Sequence, residues 1–175
     1  MSNHLFLFQN PFKVIIRKAT QQDIEVISEL AEKIWWPSYR NIISDEQISF
    51  MLNDMYSVES LKGQMDSGIE FILAERENIP IAFAGFSLTD PEAGVYKLHK
   101  LYVLPSEQGS GTGKKLINHL SDSAREQGGK ILELNVNRGN PASEFYKKAG
   151  FNIYLKMDIS YHKFILNDYV MRKKL

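Results

Sequence analysis

The sequence predicts a single-domain α/β (α+β) fold: one mixed central sheet of about seven strands with helices on both faces. Three observations predict it. Apolar residues recur at helical spacing in some segments and at strand spacing in others, alternating along the chain. A strand, a glycine-rich turn and a helix follow one another between Leu98 and Ala124. No internal repeat, low-complexity stretch or proline-rich linker divides the 175 residues, and a chain of that length with 43% hydrophobic residues can bury one full core.

Each element has its own signal. Residues 14–17 form the first strand. Thr20 and Asp23 make a capping-box-like start, behind which Ile24, Ile27, Ala31 and Ile34 line one face of a helix ending near Trp35-Trp36-Pro37. Ser44 and Gln47 form a second box, followed by Ile48, Met51, Leu52 and Met55 at helical spacing; a further short helix runs over 58–65 and stops before Gly68. Strands 70–74 and 81–88 flank the polar turn 75–78 as a hairpin, and 93–104 is the next strand. The helix 114–127, with Leu116, Ile117, Leu120 and Ala124 on one face, leads through Gly128-Gly129 to a strand at 130–137. Asn140 as N-cap and Pro141 at the first helical position open a short helix over 141–148, which Gly150 closes. Two last strands lie near 151–158 and 163–172, giving the order β-α-α-β-β-β-α-β-α-β-β when the short helix over 58–65 is not counted.

Composition excludes several classes of function. There is no cysteine, hence no disulfide framework, thiolate nucleophile or cysteine–zinc cluster. Net charge is zero, which leaves no nucleic-acid footprint. No apolar run approaches the ~18 residues of a membrane span. The opening MSNHLFLFQNPF lacks a basic n-region and a small-residue cleavage site, so residues 1–12 are expected as an N-terminal extension to a domain at 13–175, with a cytoplasmic location as the default. Charge is uneven: residues 1–70 hold six Lys/Arg against ten Asp/Glu, and residues 71–175 hold fifteen against eleven. A basic half suits phosphates and an acidic half suits an amine, although ordinary solvated surface accounts for such sums equally well.

The glycine-rich turn is the part that carries chemistry. Glycines at 109, 111 and 113 precede a helix start, where unpaired N–H groups and the positive end of the helix dipole favour phosphate. A Walker loop is excluded, because its first glycine falls on Gln108 and its Ser/Thr on Lys115. The dinucleotide fingerprint fails as well, its third glycine falling on Lys114. What remains, Gln108-Gly109-Ser110-Gly111-Thr112-Gly113, resembles the Q/R-x-x-G-x-G/A motif of the GNAT N-acetyltransferase superfamily. About thirty residues on, Asn140 and the run Phe145-Tyr-Lys-Lys-Ala-Gly-Phe151 resemble the second signature of that family, in order and in distance. The resemblance spans roughly residues 14–175, with its sharp motifs confined to 98–151.

The resemblance implies an acetyl-CoA-dependent N-acetyltransferase with no metal. It implies that residues 108–114, including Ser110, Thr112 and Lys114, cradle the pyrophosphate. Pantetheine would pair with the backbone of Leu101, Tyr102 and Val103, a main-chain N–H there polarising the thioester. Asn140 would touch the pantetheine arm while also capping its helix. Tyr146 would be the general acid, since a phenol with an unperturbed pKa near 10 can donate to a thiolate of similar basicity. The family's strand glutamate is missing. His99 stands in its place with an unperturbed pKa near 6.5, and Glu92, Glu70 or water are the substitutes.

For the acceptor, the aromatic segment Trp35-Trp36-Pro37-Ser38-Tyr39-Arg40 offers rings for cation–π contact, with Trp36 or Tyr39 as pocket wall and Asp54, Glu46 or Tyr56 nearby. The ending from Asp168 to Leu175 and the IWWPSYRNI segment resemble PaiA-type acetyltransferases of spermidine and spermine, which implies a small-molecule amine as partner. A protein N-terminus or other amine as acceptor, and a non-catalytic acyl-CoA sensor, are the competing readings. The alternating tail 164–171 is expected as an exposed edge that would pair two subunits as a homodimer.

Overall fold

The computed structural model describes residues 13–175; the expected extension 1–12 lies outside the described residues. One seven-stranded sheet organises the chain, in the order β1-β2-β3-β4-β5-β7-β6. Its strands are β1 Val14–Lys18, β2 Glu70–Arg76, β3 Ile79–Asp90, β4 Val95–Val103, β5 Ile131–Asn137, β6 Asn152–Tyr161 and β7 Phe164–Lys174. The helices are α1 Ile24–Tyr39, α2 Asp45–Tyr56, α3 Val58–Asp66, α4 Thr112–Glu126 and α5 Ala142–Lys148. Among the described residues, no helix is long and apolar enough to cross a membrane.

Burial follows the two periodicities. On one face, Ile27, Ala31, Ile34 and Trp35 of α1 pack with Leu61 of α3 against Phe71, Leu73 and Phe83. On the other, the α4 stripe Leu116, Ile117, Leu120 and Ala124 meets Ile72, Ala84, Leu98 and Leu134. The α4 stripe is fully buried (0% exposed), so its four apolar side chains each contribute the ~1.5–3 kcal/mol expected of complete burial, alanine less. Thr20 closes its capping box with Asp23, and Arg17 grips that carboxylate at 2.7 Å, fixing the turn from β1 into α1.

Several boundaries differ from expectation for identifiable reasons. α1 does not stop at Pro37 but runs on to Tyr39. Proline in the last turn forfeits one hydrogen bond, and the stacking of Tyr39 on Trp35 (centroids 4.5 Å apart) favours the extra turn. The β2–β3 turn is the two residues Glu77 (φ 52°) and Asn78 (φ 64°), both left-handed as a type I′ hairpin requires, so β3 begins at Ile79. The tail 164–171 is not an edge. β7 is enclosed between β5 and β6, and β6 is the edge strand instead. The chain doubles back after β6, and the last strand inserts beside β5 because Val170 and Met171 can be buried only there (4% and 0% exposed).

Two features of β4 position everything that follows. It is parallel to β5 over only four pairs, from Val95–Ile131 to Leu98–Leu134. Against β3 its register slips between Gly85 and Phe86, which face Lys100 and Leu98, so His99 is the extra residue of a bulge.

Candidate active site

Past Leu98 the two parallel strands part. β5 continues to Asn137 on β7 and β4 continues to Val103 on β3, which among the described residues leaves one backbone edge of β4 without a strand partner. A cavity of about 860 Å³ fills the gap. Leu101, Tyr102 and Val103 wall it on one side and Asn135, Val136 and Asn137 on the other. It is the size usual for a small-molecule site.

The glycine loop closes one end. Gly109 (φ 79°) and Gly111 (φ 85°) are left-handed, and nothing lies within 4 Å of a Cβ built at either, so conformation and not space demands glycine there. Gly113 has a different reason: a Cβ would sit 3.0 Å from Phe145 Cζ, so its absence lets α4 and α5 touch. α4 starts at Thr112, two residues earlier than expected, with Gly111 as N-cap and no side chain capping it. The first-turn N–H groups of Thr112, Gly113 and Lys114 therefore have no intrahelical acceptor. Gln108 Nε2 donates to Val103 O at 3.2 Å, tying the loop to β4. The hydroxyls of Ser110 and Thr112 lie 2.9 Å apart, and Ser110 donates to Glu107 O. Gln108, Gly109, Gly111, Gly113 and Lys114 line the cavity; Ser110 and Thr112 brace the loop from outside the lining.

α5 supplies the far wall. Asn140 Oδ1 accepts from Ala142 N at 2.9 Å, the capping bond expected of it, although the helix proper begins one residue later than the sequence suggests. Tyr146 is buried, packed between Phe145 (5.3 Å) and Phe151 (5.7 Å), and lines the cavity. Among the described residues its hydroxyl has no hydrogen-bond partner. Burial, and then the nearby Tyr39 hydroxyl, push its pKa well above that of a free phenol, so the hydroxyl keeps its proton at neutral pH.

The opposite end is aromatic. Trp35 is buried at the centre of Tyr39 (4.5 Å), Tyr56 (5.3 Å) and Tyr102 (5.8 Å), and the Tyr39 and Tyr102 hydroxyls approach to 3.5 Å. Tyr39 and Tyr102 line the cavity. Trp36 does not. Its indole donates to Glu32 at 2.8 Å on the outer surface of α1, Arg40 sits over its ring at 5.6 Å, and it faces a separate cavity of about 320 Å³. Helix phase decides this: 31 to 35 is one turn along the apolar stripe, whereas 32 to 36 is one turn along the polar face. The carboxylates expected near the acceptor are engaged elsewhere, Asp54 with Tyr161 and Glu46 with Lys163; Glu70, a substitute for the base, bonds Lys18.

His99, expected as the base, is not brought into the cavity. The bulge turns its exposed ring to Ser87, whose Oγ lies 2.8 Å from Nε2. The surrounding sheet disfavours charge there, and the ammonium groups of Lys100 and Lys97 add repulsion, which lowers its pKa to about 4. Lys100, also displaced by the bulge, is buried over the Tyr56 ring at 5.2 Å, and burial lowers its pKa to about 8. Two carboxylates line the cavity: Glu107, paired with Arg76 at 2.9 Å, and Asp168 of β7, which opens the C-terminal segment noted above but has no role assigned to it there. Asn135 Nδ2 lies 3.5 Å from it, and Asn135 also accepts from Lys97. Lys97 in turn bonds Glu133 at 2.9 Å, and Arg172 holds Glu133 at 2.7 Å.

Comparison with known proteins places this architecture. The domain described as "Acetyltransferase (GNAT) domain" matches residues 39–160, more than half of the chain. The chain belongs to the GNAT acetyltransferase family. It is similar to the spermidine N(1)-acetyltransferase of Thermoplasma acidophilum, at 27% identity over 91% of this chain and 96% of that protein. The crystal structure of PaiA N-acetyltransferase from the same organism, in complex with coenzyme A, superposes with a TM-score of 0.79 at 27% identity, covering 93% of this chain and 99% of the other. A GNAT protein of Rhodopseudomonas palustris shares the fold with a TM-score of 0.78 at 23% identity, over 92% and 95% of the two chains. A shorter stretch, 39% of this chain and 47% of the relative, is 35% identical to the ribosomal protein bS18-alanine N-acetyltransferase of Haemophilus influenzae. GNAT enzymes take acetyl-CoA as donor. This GNAT domain fits such a group on its own features: a glycine loop, open N–H groups at the start of α4, and an unpaired strand edge along one cavity.

Proposed function

We propose that this protein transfers the acetyl group of acetyl-CoA to a primary amine of a small molecule, with polyamines such as spermidine the first class to test, by direct attack in a ternary complex. One observation carries the reading: a single cavity runs from the glycine loop and the free edge of β4 to a wall of aromatic rings on α1. The N–H groups of residues 109–114 hold the pyrophosphate, favoured by the α4 dipole, and Lys114 adds charge at the rim. The backbone of residues 101–103 pairs the pantetheine arm as one more strand, and Asn140 bonds the same arm while capping α5. The bound coenzyme supplies a thioester carbonyl and a thiol leaving group. A main-chain N–H of β4 stabilises the oxygen of that carbonyl as charge develops on it, and Tyr146 protonates the departing sulfur. Trp35 and Tyr39 give the amine a cation-tolerant wall. Similarity to a spermidine acetyltransferase over nearly the whole chain supports the polyamine class. The test is coenzyme A release on incubation with a panel of amines that includes spermidine, spermine, amino acids and an alanine-terminated peptide. Turnover is expected with the polyamines. Tight acetyl-CoA binding with no release for any amine would make the domain a sensor of the coenzyme instead.

A further inference from the structure

Asp168 is the unexplained group of the cavity. It is 9% exposed, lines the gap between β4 and β5, and stands in register with Asn137 on one side and Met157 on the other. A buried carboxylate ordinarily has a cation or several strong donors. This one has, among the described residues, a single donor at the limit of hydrogen-bond distance, Asn135 Nδ2 at 3.5 Å. The cations around it are committed elsewhere. Lys97 of β4 bonds Glu133 and Asn135, Arg172 bonds Glu133, and Arg138 bonds Asp158. The remaining titratable group that faces it is the Tyr39 hydroxyl of α1, which feels its charge. Among the described residues the cavity thus presents an anionic group with no direct ion pair, Lys97 and Arg138 acting on it only from a distance, on the same lining as Tyr39 and Tyr146.

We propose that Asp168 receives the ammonium head of the acceptor amine and takes from it the proton that must leave before the nitrogen attacks. The proposal rests on the amine-acetyltransferase reading above. Transfer from an ammonium to a carboxylate is uphill in water, where their pKa values lie near 10 and 4. Inside the cavity the ion pair becomes a neutral amine and a neutral acid, and removing charge from a low-dielectric site narrows that gap. Burial raises the pKa of Asp168, which acts in the same direction. The step balances. One N–H proton passes to an Asp168 oxygen, and the freed lone pair bonds to the acetyl carbon as the carbon–sulfur bond breaks. The sulfur takes the phenolic proton of Tyr146, the surplus proton on nitrogen restores the phenol, and Asp168 releases its proton to solvent.

The experiment compares the full-length protein with Asp168→Asn, using spermidine and acetyl-CoA between about pH 6 and about pH 9. The expected loss in kcat/KM for spermidine is about 100-fold or more, with KM for acetyl-CoA within about twofold and with the acidic limb of the pH profile gone. Calorimetry on the protein loaded with coenzyme A should show spermidine binding weakened about tenfold or more in the variant. Should the variant fold poorly, carboxyl NMR on the wild type decides, since spermidine must lower the Asp168 pKa. Equal turnover and an unchanged acidic limb in Asp168→Asn, or an Asp168 pKa that ignores spermidine, overturns the proposal and leaves the enzymatic reading intact. A wild type that binds spermidine through Asp168 but releases no coenzyme A overturns the catalytic reading and keeps the ammonium site. Neither binding nor turnover of any amine overturns both.

Discussion

Tyr146 and Asp168 show how unevenly single residues are legible. Tyr146 and Asn140 sit in a contiguous stretch that resembles the second GNAT signature, so the resemblance points to them, and both line the cavity. Tyr146→Phe should lower turnover at least about tenfold while coenzyme binding, followed by calorimetry, stays near wild type. Asp168 meets Asn135 only because β7 inserts beside β5, a pairing that no local pattern encodes. His99 misleads for a related reason: a one-residue bulge, set by cross-strand register, diverts it from the cleft. The carboxylate also has a thermodynamic signature. Its folded pKa is raised by burial above an unfolded value near 4, so the folded state holds the extra proton and stability falls as pH rises through that window. At neutral pH the ionised side chain therefore weakens the fold. Asp168→Asn should raise Tm by roughly 2–4 °C at neutral pH for each kcal/mol recovered. That advantage over the wild type should vanish below about pH 4, which thermal melts at several pH values would reveal.

At the scale of elements, the apolar stripes predicted the helices, and glycine and capping residues predicted most of their ends. Misplaced ends came from packing: α1 outlasts its proline because Tyr39 stacks on Trp35, and α4 gains a first turn because Gly111, left-handed, caps it. That cap yields a specific expectation. Gly111→Ala forces an L side chain into the left-handed region at about 1–2 kcal/mol, with no clash to relieve. The loop should relax toward φ below zero and misalign the N–H groups at the start of α4. Expected outcomes are a matching loss of stability by urea unfolding and a KM for acetyl-CoA raised at least about threefold.

Over the whole molecule, the β6–β7 hairpin reaches across to the N-terminal helices. Tyr161 bonds Asp54, Lys163 bonds Glu46, and His162 lies 3.8 Å from Asp54, so the hairpin tip is fastened to α2. Leu166 of the hairpin and Met51 of α2 line the same end of the cavity. All three contacts are exposed, and an exposed ion pair such as Lys163–Glu46 is worth only ~0–1 kcal/mol, so the fastening is weak and reversible. Asp54→Ala should raise KM for the amine by roughly two- to fivefold and leave KM for acetyl-CoA unchanged. Steady-state kinetics with each substrate varied in turn would check it. The sequence contained both ends of this contact but not their meeting, because 107 residues separate Tyr161 from Asp54.

The abrupt end of the β4–β5 ladder after four pairs has a kinetic consequence of its own. Amides of residues 100–103 that point away from β3 have no strand partner among the described residues, so deuterium should enter them on the timescale of loops although they belong to a central strand. Saturation with acetyl-CoA should slow that uptake by orders of magnitude, while spermidine alone leaves it fast. Mass spectrometry of the peptide spanning 98–104 would then follow donor occupancy without any turnover.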